Sequence, residues 1–227
     1  VLDGPSIRRE FVDWGLFHVE HQYLEISRRY RKALSQRSAW LREGHDGAFD
    51  KDPWAQDIAK QGALINHRRK GFVASLDQQT RRIFAALGAE LEVQLVYHGV
   101  GDTEDAAVAM AQLAESYERD LRHGTTHIGP HRNDVDIAVN GTNAKNTVSR
   151  GQAKLIASAI VLAYCAELSQ QSNVLPVLLL DDFGAELDSG HRERFFLELE
   201  RIGCQVIATT IDEPKYLVGD ALASRAR

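Results

Sequence analysis

Hydrophobic positions change period along the chain, and each change predicts a different kind of element. From Ser6 to about residue 42 the apolar residues Phe11, Trp14, Phe17 and Leu24 recur at roughly helical spacing. The basic clusters Arg8-Arg9, Arg28-Arg29-Tyr30-Arg31-Lys32 and Arg37 fill the remaining positions. This predicts one long helix opening after the Gly4-Pro5 turn, with Gly15 weakening a turn without ending it. The run Glu43-Gly44-His45-Asp46-Gly47 and the pair Asp52-Pro53 mark a connection. A second long helix is predicted over about 54–87, its apolar side carrying Ile58, Leu64, Ile65, Phe72, Leu76, Ile83, Phe84 and Leu87. Two long polar-rich helices joined by a short link predict an antiparallel helical arm. Strict heptads are absent, so an extended coiled coil is not required.

After Gly88 the period becomes two. Leu91, Val93, Leu95 and Tyr97 alternate through Glu90–His98 as a half-buried strand does. Asp102–Arg122 returns to helix with Thr103 as its cap. Thr125–Ile128 and Val135–Val139 read as strands around Gly129-Pro130-His131-Arg132-Asn133, and Asn140-Gly141 is a hairpin signal. Ser149 and Gln152 form an S-x-x-Q capping box, opening a helix that runs to about Gln170. Pro176 precedes a buried strand, Val177–Leu180, which ends at Asp181-Asp182. A helix from Asp188 or Ser189 to Arg201 leads to the strand Val206–Ala208 and then Thr209-Thr210. Continuous apolar runs separated by a crossover helix predict parallel strands covered on both faces. The class is therefore α/β, divided into a helical arm over 1–88 and an α/β portion over 89–227.

Composition narrows the options. The 227 residues are 44% hydrophobic and 26% charged, which suffices for one large domain or a core with an appendage, and fits neither a disordered chain nor a disulfide scaffold. Net charge is −5, but residues 1–82 sum to +4 and residues 83–227 to −9, so contact with a polyanion falls to the first part. Cys165 and Cys204 lie in apolar segments without a Cys-x-x-Cys pair, and His18, His21, His45, His67, His98, His123, His127 and His191 have no metal-ligand spacing. A reduced, cytoplasmic setting is expected. Apolar runs such as Val177–Leu180 are far short of a membrane span, so no membrane is expected as a partner. An opening without an initiator Met, and without a leader, suggests a processed or excised piece.

The residues that carry chemistry cluster in 148–210. A strand that ends in two carboxylates delivers acids to the edge where α/β sheets place ligands. In a nucleotide triphosphatase Asp181 would hold magnesium and Asp182 would position or deprotonate the attacking water. The same pair also reads as a polar turn after a strand. Ser149-Arg150-Gly151-Gln152 opens a helix whose N–H groups could contact terminal phosphate oxygens, and it also reads as an ordinary cap. Asp188, in Ala185-Glu186-Leu187-Asp188, has the same two readings. Thr209 ends the neighbouring strand, where its hydroxyl could orient the γ-phosphate region.

Taken in order, Ser149–Gln152, Leu178-Leu179-Leu180-Asp181-Asp182-Phe183 and Ala185–Asp188 resemble the ABC-type ATPases of the SMC/Rad50 class. With Gly4-Pro5-Ser6-Ile7-Arg8-Arg9-Glu10-Phe11-Val12-Asp13-Trp14-Gly15 and Gly129-Pro130-His131-Arg132-Asn133-Asp134, the chain resembles the RecF family of bacterial DNA repair and replication proteins across essentially its whole length. The resemblance implies a partial ABC-ATPase head with a helical arm. It implies Ser149, Arg150, Gly151 and Gln152 as the signature, Asp181 and Asp182 as the Walker B acids, and Asp188 as the D-loop aspartate; Thr209 stands where relatives have a switch residue. ATP and magnesium are the implied cofactors of the intact protein. A homodimer that sandwiches ATP, DNA as duplex or single-strand/duplex junction, and a mediator of the RecR type are the implied partners.

One departure from the family is decisive. A P-loop needs Gly-x-x-x-x-Gly-Lys-Ser/Thr, and none of the seven lysines here is followed by Ser or Thr. The chain thus resembles the part of the family that follows the P-loop lobe. By itself it is expected to bind no nucleotide and to hydrolyse none at a useful rate. The alternative function is a non-enzymatic module for dimerisation or partner binding. For DNA, the candidates are Arg28, Arg29, Arg31, Lys32 and Arg37 on the first helix and Arg68, Arg69, Lys70, Arg81 and Arg82 on the second, each of which also reads as part of a solvated helix face. For His131 and Arg132, phosphate contact, bridging of arm and lobe, and folding support all stay open.

Overall fold

The computed structural model describes residues 4–43, 48–172, 175–181 and 187–209. Its elements are α1 (Pro5–Val19), α2 (Tyr23–Arg42), a 3-10 turn (Phe49–Lys51), α3 (Ala55–Ala86), β1 (Val93–His98), α4 (Ala106–His123), β2 (Asp134–Val139), β3 (Thr142–Asn143), a second 3-10 turn (Ala144–Asn146), α5 (Arg150–Ser172), β4 (Val177–Leu180), α6 (Ser189–Ile202) and β5 (Gln205–Ala208). Two compact units emerge, each discontinuous in sequence. A helical unit takes residues up to 73 together with 97–135, and an α/β unit takes 74–96 and the chain from 136 onward. The segment expected as a helical arm, 1–88, contributes to both.

In the helical unit the single helix expected over 6–42 is two. Glu20 donates its N–H to the Leu16 carbonyl at 2.8 Å and then turns extended (φ −122°, ψ 96°), and α2 restarts when the Tyr23 N–H takes the Glu20 carbonyl at 2.9 Å. The buried stripe of α2 runs through Tyr23, Ser27, Tyr30, Ala33, Arg37 and Leu41 at steps of three and four, and α2 packs on α1 and α4. Helix α4 begins later than expected and its cap is Asp105, whose carboxylate accepts the N–H groups of Ala107 and Val108. Thr103 instead accepts the N–H of Asp105 at 3.1 Å.

Thr125–Ile128 forms no strand. Its polar groups are taken by side chains in place of a ladder. The Thr126 hydroxyl accepts from Arg37 at 2.7 Å, the Thr126 carbonyl accepts from His131 at 3.0 Å, and the His127 N–H goes to Asp120 at 3.0 Å.

The α/β unit follows the expected order. Strands β1, β2 and β3 form one sheet in that order, and β1 alternates buried and exposed residues. Asn140 (φ 48°) and Gly141 (φ 76°) turn β2 back on β3, with Val139 opposite Thr142. Both central residues have positive φ, which is what a type I′ hairpin turn requires.

Strands β4 and β5 pair in parallel, from Val177 opposite Gln205 to Leu180 opposite Ala208. They are not covered on both faces as the sequence suggested. Leu179 is 71% exposed and Ile207 55%, because two strands alone leave a face and edges open among the described residues. Helix α5 packs on α6. By length and apolarity α5 would be able to cross a bilayer, but most of its apolar stretch is buried inside the protein, as befits a core helix.

Candidate nucleotide and nucleic-acid sites

The capping box at the start of α5 closes in both directions. The Ser149 N–H donates to Gln152 Oε1 at 2.8 Å, and the Gln152 N–H donates to Ser149 Oγ at 3.3 Å. Arg150 and Gly151 stay exposed beside it. Nothing beyond the helix's own backbone lies within 4 Å of where a Cβ on Gly151 would sit. An open, fixed helix start of this kind favours an anion.

At the carboxyl edge of β4, Asp181 is exposed and accepts the Thr209 hydroxyl proton at 2.6 Å. The Thr209 N–H anchors to the Leu180 carbonyl at 2.8 Å, so the edge itself brings these two residues together. Asp182, and the residues of 182–186 in general, lie outside the described residues.

Asp188 caps α6. Its carboxylate accepts the His191 N–H at 3.0 Å and meets the His191 ring at 2.5 Å, and these bonds, the backbone one foremost, hold it below the usual carboxylate range. Gly151, Gln152, Asp188 and His191 line one cleft of about 390 Å³. A separate hollow of about 260 Å³ sets Lys154, one turn along α5, beside Asp181. No trio of His, Cys, Asp or Glu with metal-site geometry occurs among the described residues.

The basic residues divide sharply. On α2, Arg28, Arg29, Arg31 and Lys32 are all exposed. Arg29 pairs with Glu25 at 2.5 Å, while Arg28, Arg31 and Lys32 have no ion pair among the described residues. On α3, Arg68 pairs with Glu20 at 3.0 Å, and Lys70 lies 3.5 Å from Glu104 and 4.0 Å from Asp102. Arg81 and Arg82 are held by Asp77 and Glu198 at 2.9 and 3.1 Å.

Arg69 and Arg37 are corrections, since neither offers a face to DNA in this structure. Arg69 is 5% exposed and binds Asp13 bidentately at 2.8 and 2.9 Å, with a third bond of 2.6 Å to the Pro130 carbonyl. Burial acts to lower its pKa, but Tyr23 and Asp13 together raise it. Arg37 is fully buried between Asp52 at 2.5 Å and Asp120 at 2.7 Å. A helical period records which residues share a face, and a guanidinium on the inner face looks the same in sequence as one outside.

The Gly129–Asp134 segment turns out to be a fastening within the helical unit. His131 Nδ1 takes the Tyr30 hydroxyl at 2.7 Å and its Nε2 faces the Thr126 carbonyl at 3.0 Å, which fits a neutral ring donating from Nε2. Burial foremost lowers its pKa to about 4. Asp134 binds Arg8 at 2.5 Å and the Asn133 carbonyl binds Arg9 at 2.8 Å. A Cβ on Gly129 (φ 130°) would strike the Tyr30 hydroxyl. Sequence reasoning missed Asp13 and the Arg8–Asp134 pair; their opposite charges, in the two motifs already singled out, were the available signal.

An open helix start at Ser149, a parallel strand that ends in an acid and a helical unit together fit the architecture of a RecF-like ATPase head. The chain is a homologue of bacterial RecF. It is 34% identical over 95% of its length to the DNA replication and repair protein RecF of Hahella chejuensis, and 35% identical over 96% to that of Stenotrophomonas maltophilia. The chain spans about 59% of the length of each of these relatives. Among solved structures it is similar to the recombination mediator protein RecF-ATP in the RecFOR pathway, with TM-score 0.81 and 25% identity over 93% of this chain and 59% of that one. It is also similar to the RecF-ATPrS structure, with TM-score 0.79 and 26% identity over 96% of this chain and 60% of that one. No protein-family model matches the chain.

Proposed function

We propose that this chain is the signature- and Walker B-bearing portion of an ATP-dependent DNA clamp that acts in recombinational repair and replication-fork maintenance. The observation that carries the reading is the open start of α5, where the closed Ser149–Gln152 box leaves Gly151 uncovered. In a dimer, Ser149, Arg150, Gly151 and Gln152 face the terminal phosphates of ATP held on the other subunit's P-loop. Thr209 positions Asp181, an exposed carboxylate suited to a hydrated magnesium ion, and Asp182 takes the role of base toward water. Magnesium, when bound, neutralises charge on the transferring phosphoryl group. Asp188 fixes the start of α6 beside the signature cleft.

Hydrolysis in the whole protein is slow, and this chain without a P-loop lobe does not carry it out. DNA, as duplex or single-strand/duplex junction, meets the exposed basic face of α2, chiefly Arg28, Arg31 and Lys32; Arg29, Arg68 and Lys70 exchange their acid partners for phosphate. A mediator of the RecR type is the protein partner, in a cytoplasmic setting. The similarity to a RecF-ATP structure described within the RecFOR pathway supports these assignments.

The test uses the chain supplied in cis with a P-loop lobe, analysed by sedimentation with and without ATP. ATP-dependent dimers are expected, and Ser149→Arg abolishes them while the monomer still binds ATP. An oligomeric state indifferent to ATP, or loss of nucleotide from the Ser149→Arg monomer, overturns the reading.

A further inference from the structure

The helical unit contains an open pocket of about 510 Å³ formed chiefly by α1 and α2. One wall is aromatic. Trp14 and Phe17 line it and are 53% and 45% exposed, although both are large apolar side chains. The His18 ring lies 4.3 Å from Trp14 and 5.0 Å from Phe17, centroid to centroid. The lining also contains three guanidinium groups, Arg9, Arg31 and Arg69, against two acids, Glu10 and Asp13. Asp13 is already bound bidentately by Arg69.

The remaining cations are poorly compensated. Arg31 is exposed and its Nε contacts only the Ser27 carbonyl, at 3.4 Å, with no ion pair among the described residues. Arg9 donates to the Asn133 carbonyl at 2.8 Å. Burial first, and the charge of Arg69 second, hold the Arg9 guanidinium below its ordinary pKa, outweighing the opposing pull of Asp134 and Asp13. Crowding of like charges of this kind is relieved by an anion. Arg28 and Lys32 extend the positive surface along α2.

We infer that this pocket receives an unpaired nucleotide of a DNA strand, its base against Trp14 and Phe17 and its phosphate toward Arg9 and Arg31. The inference rests on the DNA-binding reading above and specifies where the single-stranded portion goes. The volume lies within the range of about 300–1,000 Å³ usual for small ligands. A base stacked inside a duplex cannot reach such a wall, whereas an unpaired base presents its face to aromatic side chains while its backbone follows cations. An apolar peptide side chain would cover the rings but leave Arg9 and Arg31 desolvated without a counter-charge, which is costly. A nucleotide satisfies both halves of the lining at once.

The experiment is fluorescence anisotropy of the 227-residue chain at low salt, with a labelled blunt duplex and with the same duplex carrying an oligo(dT) overhang. The overhang is expected to tighten binding about tenfold, and Trp14→Ala or Phe17→Ala to remove most of that gain without weakening blunt-duplex binding. In a Trp40→Phe, Trp54→Phe chain, the remaining Trp14 emission is expected to be quenched by oligo(dT), a readout that leaves the pocket itself intact. An overhang gain that survives Trp14→Ala, or Trp14 emission indifferent to oligo(dT), overturns the pocket assignment. So does a wild-type chain that binds the blunt duplex and gains nothing from the overhang, with the DNA-binding reading left standing. A chain that binds neither DNA overturns both.

Discussion

Thr209 donates its hydroxyl proton to Asp181 at 2.6 Å, across the carboxyl ends of two parallel strands. The bond aims the carboxylate, and the N–H of Thr209 itself, donated to the Leu180 carbonyl at 2.8 Å, keeps Thr209 in register. Groups that orient a metal-binding carboxylate typically affect metal affinity about 10- to 100-fold when removed. With a P-loop lobe supplied, Thr209→Val is therefore expected to raise the magnesium concentration for half-maximal ATP turnover by about tenfold. Thermal stability should change by no more than about 1 kcal/mol, since Asp181 is exposed and water replaces the lost donor. A magnesium titration of turnover decides it, and an unchanged midpoint reduces Thr209 to a strand-end contact.

Arg69 is expected to be a substantial contributor to stability. Removing one partner of a buried ion pair costs about 3–5 kcal/mol because the other charge is left uncompensated. Arg69→Ala should lower the urea-unfolding free energy by less than that, about 2–3 kcal/mol, since Asp13 is only half-buried and keeps the Tyr23 hydroxyl as a donor. Arg69→Lys should also destabilise, because an ammonium cannot bind both Asp13 oxygens and the Pro130 carbonyl in one plane. A lysine variant as stable as the parent would show that charge alone suffices there.

His131 sets a pH window. Its folded pKa is depressed to about 4 against an ordinary value of 6.5, foremost by burial. The folded state therefore holds the neutral ring, and the stability attached to it is complete above about pH 6.5 and lost as pH falls toward 4. The size is on the order of 3 kcal/mol at most. Asp134, also held below its ordinary value, affects only still more acidic conditions: burial opposes the shift, but its bonds to Arg8 outweigh it. Urea unfolding at several pH values should show a decline between pH 6.5 and 4 that His131→Asn flattens. A parallel decline in both proteins would assign the window to other groups.

Much of the fold was legible because local chemistry and tertiary structure agree. The Ser149–Gln152 box, the Asn140-Gly141 turn and the β4–α6–β5 order are each written within a few residues and were found where expected. The break between α1 and α2 was not legible. Val12, Leu16, Tyr23, Ser27 and Tyr30 are buried at intervals that an unbroken helix would also give, so the period carries no mark of the Glu20 interruption. Thr125–Ile128 looked like a strand because its residue types favour one, and a distant partner, Arg37, and a local one, His131, claimed its polar groups first. The basic candidates show the same limit: Arg28 and Arg69 have identical chemistry, and only the tertiary packing around each decides which one meets solvent.

The six residues from Gly129 to Asp134 hold Arg8 and Arg9 of α1, Tyr30 of α2 and Arg69 of α3. Surface connections ordinarily accept added or deleted residues, as the tip at Asn140-Gly141 should. Lengthening the chain between Gly129 and Asp134 would instead loosen three helices together. Anyone grafting a tag or splitting this polypeptide for complementation should open it at the hairpin tip and leave that short stretch whole.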